Sequence, residues 1–123
     1  MNALLKAKSA YSAAKTPTRT AKNFEYEVVT RVTRRLITAA QKGSDGFNEL
    51  AQALNDNRKL WSIFTADLAM KSNPLPDDLK RNLFELAEFT RQHTSKVLQR
   101  KANVRPLVEI NTAILRGLRS GAS

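Results

Sequence analysis

The sequence predicts an all-α fold, a compact single-domain bundle of about five or six helices formed by residues 1–123. In several segments apolar residues recur every three or four positions, which is the period of a helix with one buried face. No segment alternates apolar and polar residues for long enough to indicate a strand. Only four glycines and four prolines interrupt the chain, and 41% of its residues are hydrophobic, which is enough to fill one core.

Residues 1–22 predict a basic helix followed by a linker. Tyr11 lies on a weak apolar stripe of this helix, and Pro17 with its neighbouring threonines forms the linker. The segment carries five basic residues and no acidic one. That composition also suits an organellar transit peptide. A helix packed on its own domain and a helix that holds a partner or a membrane surface are the alternatives.

A second helix is predicted to begin at Asn23 and to end before the turn at Gly43–Gly46. Asparagine is a favoured N-cap residue, and an acidic residue follows in the first turn. The expected apolar stripe consists of Val28, Val32, Leu36 and Ala39 or Ala40. Three basic side chains, Arg31, Arg34 and Arg35, lie off this stripe and are predicted to be exposed.

The third predicted helix has Ser44 or Asp45 as its cap and contains an unusual polar run, Asn55-Asp56-Asn57. All three residues of this run prefer caps and turns to helix interiors. Two interpretations stay open: one helix with a defect, or two helices that meet there. In the second interpretation Asp56 caps the later helix and Arg58 bridges to a neighbouring carboxylate.

The last two helices have clear boundaries. The prolines of the loop Asn73–Pro76 end the preceding helix, and Asp77 opens a long helix that is predicted to extend to about Arg100. A final helix opens near Pro106 and ends before a tail at Gly117–Ser123.

The charge of the chain lies mostly at its ends. The formal net charge is +10, from 21 basic and 11 acidic residues. Residues 1–22 contribute +5 and residues 101–123 contribute +3, which leaves +2 for residues 23–100. A nucleic-acid-binding domain usually spreads its charge along one face, so this distribution weakens that interpretation. No apolar run approaches the roughly 18 residues of a membrane span, and we expect a cytoplasmic protein.

Few residues could carry chemistry. The chain has no cysteine and one histidine, which excludes disulfides, thiolate catalysis and cysteine-ligated metals. His93 follows Glu88 by five positions, and this spacing does not place the two side chains together on a helix. We predict that His93 is buried and hydrogen-bonded. We expect no enzymatic activity, no catalytic residue, no metal and no cofactor.

Nucleic-acid binding is possible but not favoured. Arg31, Arg34 and Arg35, with Lys42 beyond them, could line one helical edge and contact phosphates. Aromatic residues make up only 7% of the chain, however, and four phenylalanines are predicted to lie in the core. These are Phe24, Phe47, Phe64 and Phe84. A stacking platform for single-stranded RNA is therefore not evident.

Six segments, in order, resemble the FlaF family of flagellar biosynthesis regulators over roughly residues 10–119. They are Tyr11-Ser12-Ala13-Ala14, Glu25 to Arg34, Leu54-Asn55-Asp56-Asn57-Arg58-Lys59-Leu60-Trp61, Leu75-Pro76-Asp77-Asp78-Leu79, Leu86-Ala87-Glu88-Phe89-Thr90 with the nearby His93 to Leu98, and Pro106 to Leu118. The resemblance implies a small cytoplasmic helical protein without enzymatic activity. It also implies a regulator that acts after transcription on flagellin, binds it directly and works opposite or alongside a second regulator, FlbT.

On this basis we predict that the protein binds flagellin as a secretion chaperone and promotes its production. The alternatives are binding to the flagellin messenger leader, or action only by antagonising FlbT. Because unassembled flagellin exposes helices with apolar faces, the expected contacts are apolar anchors and charges that orient them. The candidate contacts, which the core could equally well use, are Tyr11, Tyr26, Arg31, Arg34, Asn57, Arg58, Trp61, Asn111, Ile114 and Leu118.

Overall fold

The computed structural model describes the backbone of residues 19–121 and the side chains of residues 26–117. This part of the chain forms four α-helices and no strand, so the predicted all-α class is confirmed, and the described residues contain four helices against the five or six predicted for the whole chain. The helices are α1 (Arg19–Gln41), α2 (Phe47–Ala69), α3 (Asp77–Leu98) and α4 (Arg105–Gly121). The helix predicted around Tyr11 lies outside the described residues.

The four helices pack as a bundle. Helix α1 packs against α2 and α4, α2 also packs against α3, and α3 touches α4. Helices α1 and α2 run antiparallel, because Arg35 pairs with Asp56 while Lys42, farther along α1, pairs with the earlier Glu49. Because α1 and α3 each contact both α2 and α4, helices α2 and α4 lie diagonally across the bundle from each other.

Buried apolar side chains form two clusters, one toward each end of the bundle. One cluster joins α2, the loop after it, α3 and α4, and contains Trp61, Leu68, Leu75, Leu79, Leu83 and Ile114. The other joins α1, the first half of α2, the end of α3 and α4, and contains Leu36, Ala53, Leu54, Val97, Val104 and Leu107. Burial of these side chains, at roughly 1.5–3 kcal/mol for each large one, is the main contribution to folding.

Helix α1 begins earlier than predicted. It starts at Arg19 and passes through Asn23, so the proposed N-cap there is wrong. Ala21 and Lys22 are good helix formers, and the helix continues through them instead of starting after them. The buried face follows the predicted period, with Val29, Val32, Leu36 and Ala39 in the core. Arg31, Arg34 and Arg35 are exposed, as predicted.

The α1–α2 turn depends on two glycines for different reasons. Gly43 has φ +65°, a backbone region that side-chain-bearing residues rarely adopt, but open space surrounds it. Gly46 has an ordinary φ of −94°, but a Cβ there would lie 2.5 Å from the Ala39 carbonyl oxygen. Gly46 is the N-cap of α2, so the predicted caps Ser44 and Asp45 are wrong. Both residues lie in the 3-10 turn Gly43–Gly46. This turn brings the Gly46 backbone against the Ala39 carbonyl of α1 and leaves no room for a side chain at Gly46.

Helix α2 is continuous from Phe47 to Ala69, so the run Asn55-Asp56-Asn57 does not break it. Asp56 is not a cap, because its carboxylate pairs with the Arg35 guanidinium of α1. Arg58 does not bridge to a carboxylate either. Its Nη2 donates to Ser95 Oγ of α3 at 3.1 Å. Partners on other helices therefore hold these polar side chains in the helical conformation.

The boundaries of α3 and α4 differ slightly from the prediction. Helix α3 ends at Leu98, and Arg100 follows with φ 61°. The backbone NH of Lys101 donates to Lys96 O at 2.9 Å, and that of Arg100 to Val97 O at 2.9 Å, which is the Schellman pattern of helix ends. Helix α4 continues through the buried Gly117 to Gly121, so the predicted tail from Gly117 is wrong.

Replacing Gly46 by alanine should destabilise the protein by about 2 kcal/mol, because the new Cβ meets a backbone oxygen that cannot move alone. The matched control is Gly43→Asn, which should cost less than about 1 kcal/mol, since asparagine tolerates a positive φ and the site is open. Urea unfolding followed by circular dichroism measures both changes. Equal costs at the two positions would contradict the assignment of close packing at Gly46.

Candidate functional site

A chain of buried hydrogen bonds crosses the bundle between α2 and α4. The indole Nε1 of Trp61 donates to Asn111 Oδ1 at 3.0 Å, and Asn111 Nδ2 donates to Asn57 Oδ1 at 2.8 Å. Asn57 is 0% exposed, Asn111 1% and Trp61 6%, so water cannot substitute for these bonds. Asn57 and Trp61 lie one turn apart on α2, which places both opposite the same amide. This buried polar chain holds α2 and α4, the two diagonal helices, in one position relative to each other.

The polar chain explains where four of the predicted contact residues lie. Asn57, Trp61 and Asn111 form it, and Ile114, which is 5% exposed, packs in the same apolar cluster as Trp61. The interpretation of Trp61 as a core residue is therefore confirmed. Asn57, Asn111 and Ile114 lie inside the bundle, whereas one side of Trp61 reaches the surface between α2 and α3.

The buried polar side chains of α2 and α3, which we call the polar layer, are not all satisfied within the described residues. Asn57 Nδ2 and Thr90 Oγ1 are buried and have no hydrogen-bond partner there. Thr94 Oγ1, in contrast, donates to the Thr90 carbonyl oxygen at 2.6 Å. An unpartnered buried polar atom costs roughly 1–3 kcal/mol. The layer therefore fixes the arrangement of the helices more than it adds net stability.

On the outside, α2 and α3 form a surface depression of about 300 Å³, which we call the α2/α3 groove. Its floor includes Trp61, Ala87 and Thr90. The rest of its lining consists of Arg58, Ser62, Thr65, Phe84, Glu88 and Arg91. Because the Trp61 NH is bonded to Asn111, the indole presents carbon atoms to the groove. The floor is therefore largely apolar and the rim is polar.

Phe84 separates this groove from a second depression on α3. Phe84 and Glu88 line both depressions, and the second has a volume of about 470 Å³. The predicted placement of Phe84 in the core is wrong, because the side chain is 37% exposed. The buried face of α3 passes through Leu83, and the next residue is rotated about 100° around the helix axis. Phe84 thus stands as an apolar ridge between two depressions.

The charges at the groove rim are partly compensated. Arg91 and Gln92 both hydrogen-bond the Glu88 carboxylate, with Arg91 Nε at 3.0 Å and Gln92 Nε2 at 2.9 Å. These bonds, first that of Arg91, hold the pKa of Glu88 below its usual value. Glu88, like any exposed glutamate, is ionised at neutral pH, and these bonds keep it ionised to lower pH. Together with Arg58 at the other end, the rim offers charged groups that can orient a ligand over the apolar floor.

A second surface lies on α1, where three predicted contact residues come together. Tyr26, Arg31 and Arg34 line a depression of about 430 Å³ with Glu27, Thr30 and Arg35. We call this the α1 face. Thr30 Oγ1 is buried there without a hydrogen-bond partner among the described residues. Of the remaining predicted contacts, Tyr11 lies outside the described residues, and Leu118 is described only as backbone of α4.

The single histidine has a structural environment. His93 Nε2 hydrogen-bonds the Asn103 carbonyl oxygen at 2.7 Å, and its ring stacks on Phe89 at 5.3 Å between centroids. The predicted hydrogen bond is confirmed, but His93 is half-buried and not fully buried. Among the described side chains no group of three potential metal ligands occurs. Within the same residues no helix is long and apolar enough to cross a membrane.

Sequence reasoning missed the groove residues on α3. Phe84, Glu88 and Arg91 share one helical face at steps of four and three, and this spacing is visible in the sequence. Phe84 lies one position away from the apolar stripe at Leu83, and this position was the signal in the sequence for its exposure. An aromatic residue off the buried stripe of an amphipathic helix indicates a surface contact.

Replacing Asn111 by alanine should lower the free energy of unfolding by about 3 kcal/mol, since it leaves the Trp61 NH and the Asn57 carbonyl unpaired in the interior. The matched control is Thr112→Ala, whose hydroxyl bonds only Val108 O within the same helix, and which should cost less than about 1 kcal/mol. Urea unfolding by circular dichroism measures the loss. A cost below that of the control would refute the importance of the polar chain.

Comparison with known proteins identifies the family. The chain matches the family described as flagellar protein FlaF over residues 7–118, which is nearly its whole length. No curated protein and no solved structure matches it significantly. The matched region includes the polar chain, the α2/α3 groove and the α1 face. The chain therefore belongs to the FlaF family of flagellar proteins.

Proposed function

We propose that this protein is a cytoplasmic regulator of flagellum biogenesis that binds flagellin directly, acts as its secretion chaperone and promotes its production after transcription. It works by binding alone and catalyses no reaction. Membership of a flagellar family supports the biological setting. The observation that carries the binding proposal is the exposed Phe84, which stands between the α2/α3 groove and the second depression on α3.

The groove has the chemistry that an amphipathic helix needs. A helix docks in a groove by placing apolar side chains, spaced three or four positions apart, against an apolar floor. Here the floor includes Trp61 and Ala87, and Phe84 adds an aromatic ridge. Aromatic anchors at such positions dominate binding energies. The exposed apolar face of unassembled flagellin fits this description.

Five of the predicted contacts either line the groove or support it from inside the bundle. Arg58 lines the groove and can meet a docked helix directly. Trp61 forms part of the floor, and Asn57 and Asn111 act from inside, because their hydrogen bonds hold the Trp61 indole in place. Ile114 supports Trp61 from below as a member of the same cluster.

Binding to the flagellin messenger leader is a weaker alternative. It depends on Arg31, Arg34, Arg35 and the basic ends of the chain, and among the described residues Arg35 is paired with Asp56. Glu27 lines the same depression and repels phosphate. On the α1 face only Arg31 and Arg34 remain unpaired within the described part of the chain, which is fewer than the several phosphate contacts that RNA binding requires. Action only by antagonism of FlbT is a third possibility, and a pairwise pull-down tests it.

Replacing Phe84 by alanine should weaken binding to purified flagellin about tenfold or more, because the ridge is lost while the core is untouched. Phe89→Ala is the matched control: Phe89 is 44% exposed on the same helix but does not line the groove. Calorimetric titration of each variant with flagellin measures the difference. Failure of the unmodified protein to bind flagellin at low micromolar concentration would overturn the proposed function.

A salt series separates the proposal from the RNA alternative. Flagellin binding through an apolar groove should change little between low and physiological salt, whereas binding through phosphates falls steeply as salt rises. Gel shifts with the leader RNA and titrations with flagellin, run at the same salt concentrations, give the comparison. Tight, sequence-selective RNA binding in the absence of flagellin would favour the alternative.

A further inference from the structure

The α1 face carries two basic side chains that the rest of the described structure leaves uncompensated. Arg35 pairs with Asp56 and Lys42 pairs with Glu49, so both of these cations have acidic partners on α2. Arg31 and Arg34 are exposed and take part in no ion pair among the described residues. Glu27 lies one turn before Arg31, yet no ion pair joins them.

The two free arginines are arranged for one ligand. They lie three positions apart on α1, about 4.5 Å along the helix axis. Tyr26 and Thr30 precede Arg34 at steps of four, so all four side chains line one depression. The Thr30 hydroxyl, which is buried without a partner among the described residues, lies one turn before Arg34 on the same side of the helix. Tyr26 is 36% exposed and adds an aromatic surface.

We propose that the α1 face is a docking surface for an acidic protein segment, distinct from the flagellin groove. Its occupant carries carboxylates three or four positions apart, the spacing that matches Arg31 and Arg34. Arginine and tyrosine are the residue types that dominate protein–protein contacts, and arginine binds carboxylates in a bidentate fashion. Arg35 of α1 makes a carboxylate contact through its Nη1 with Asp56 of α2, and Arg31 and Arg34 lack such a contact among the described residues.

A protein segment fits this surface better than RNA does. Nucleic-acid affinity grows with the number of phosphates contacted, and only two free arginines line this depression. Glu27 in the same depression repels any anion. A peptide can place a carboxylate at each arginine and a neutral residue beside Glu27, whereas an RNA backbone carries a phosphate at every nucleotide. The protein thus has two surfaces of different chemistry: an apolar groove between α2 and α3, and a basic face on α1.

The test uses the full chain and a fluorescent peptide of Glu-Ala-Ala repeats, with a Gln-Ala-Ala peptide as the neutral probe. The protein should bind the acidic peptide and not the neutral one. Replacing both arginines, Arg31→Gln with Arg34→Gln, should weaken binding about tenfold, as expected for two charge-assisted contacts. Lys96→Gln with Lys101→Gln is the matched control, because it removes the same charge at exposed positions outside the α1 face and should leave affinity nearly unchanged.

Equal weakening in both double variants would overturn the proposal, since net charge alone would then explain the binding. Binding of polyuridine through the same arginines, tighter than that of the acidic peptide, would also overturn it. Flagellin titration separates this proposal from the previous one. The arginine variant should bind flagellin normally, and Phe84→Ala should bind the acidic peptide normally. Loss of flagellin binding in the arginine variant would instead assign the α1 face to the flagellin site.

Discussion

The arrangement of this bundle depends on the hydrogen bonds that Asn111 makes with Trp61 and Asn57. They span 50 and 54 residues of sequence and join helices that are diagonal in the bundle. Apolar side chains alone would allow the helices to slide along each other, because one apolar contact resembles another. The Asn111 amide bonds both partners in one register, and any other register would leave the Trp61 NH and Asn57 Oδ1 unpaired in the interior. The two apolar clusters can then pack on either side of this layer.

The same interaction shapes the surface. With its NH directed to Asn111, Trp61 is anchored from the inside and its ring closes the floor of the α2/α3 groove. Arg58, one turn earlier in helical position, reaches across to Ser95 and links the two walls. The shape of the groove therefore depends on how α2 is held. A substitution at Asn111 should alter the position of Trp61 in the groove floor, although Asn111 does not line the groove. Helix α1 is tied to α2 separately, through Arg35 and Asp56.

The sequence predicted the features that depend on local pattern. The apolar stripes of α1 and α3, the proline-rich loop and the exposed arginines all follow from helical period and turn chemistry. It did not decide whether Asn55-Asp56-Asn57 breaks a helix, because locally these residues favour caps. The partners that override this preference, Arg35 and Asn111, are 21 and 54 residues away. The exposure of Phe84 was missed for a related reason: aromatic character indicates burial unless the position on the helix is considered.

This division between interior and surface changes how substitutions in the chain should be interpreted. The segments that resemble the family include Asn57 and Asn111, which lie inside the bundle, and Trp61, of which only one side reaches the groove. Their replacement would reduce binding by loosening the fold, so a loss of binding alone does not identify a contact. Exposed residues such as Phe84 and Arg31 can be replaced with little effect on packing. Only such positions, compared with equally exposed neighbours, distinguish a docking surface from the core that supports it.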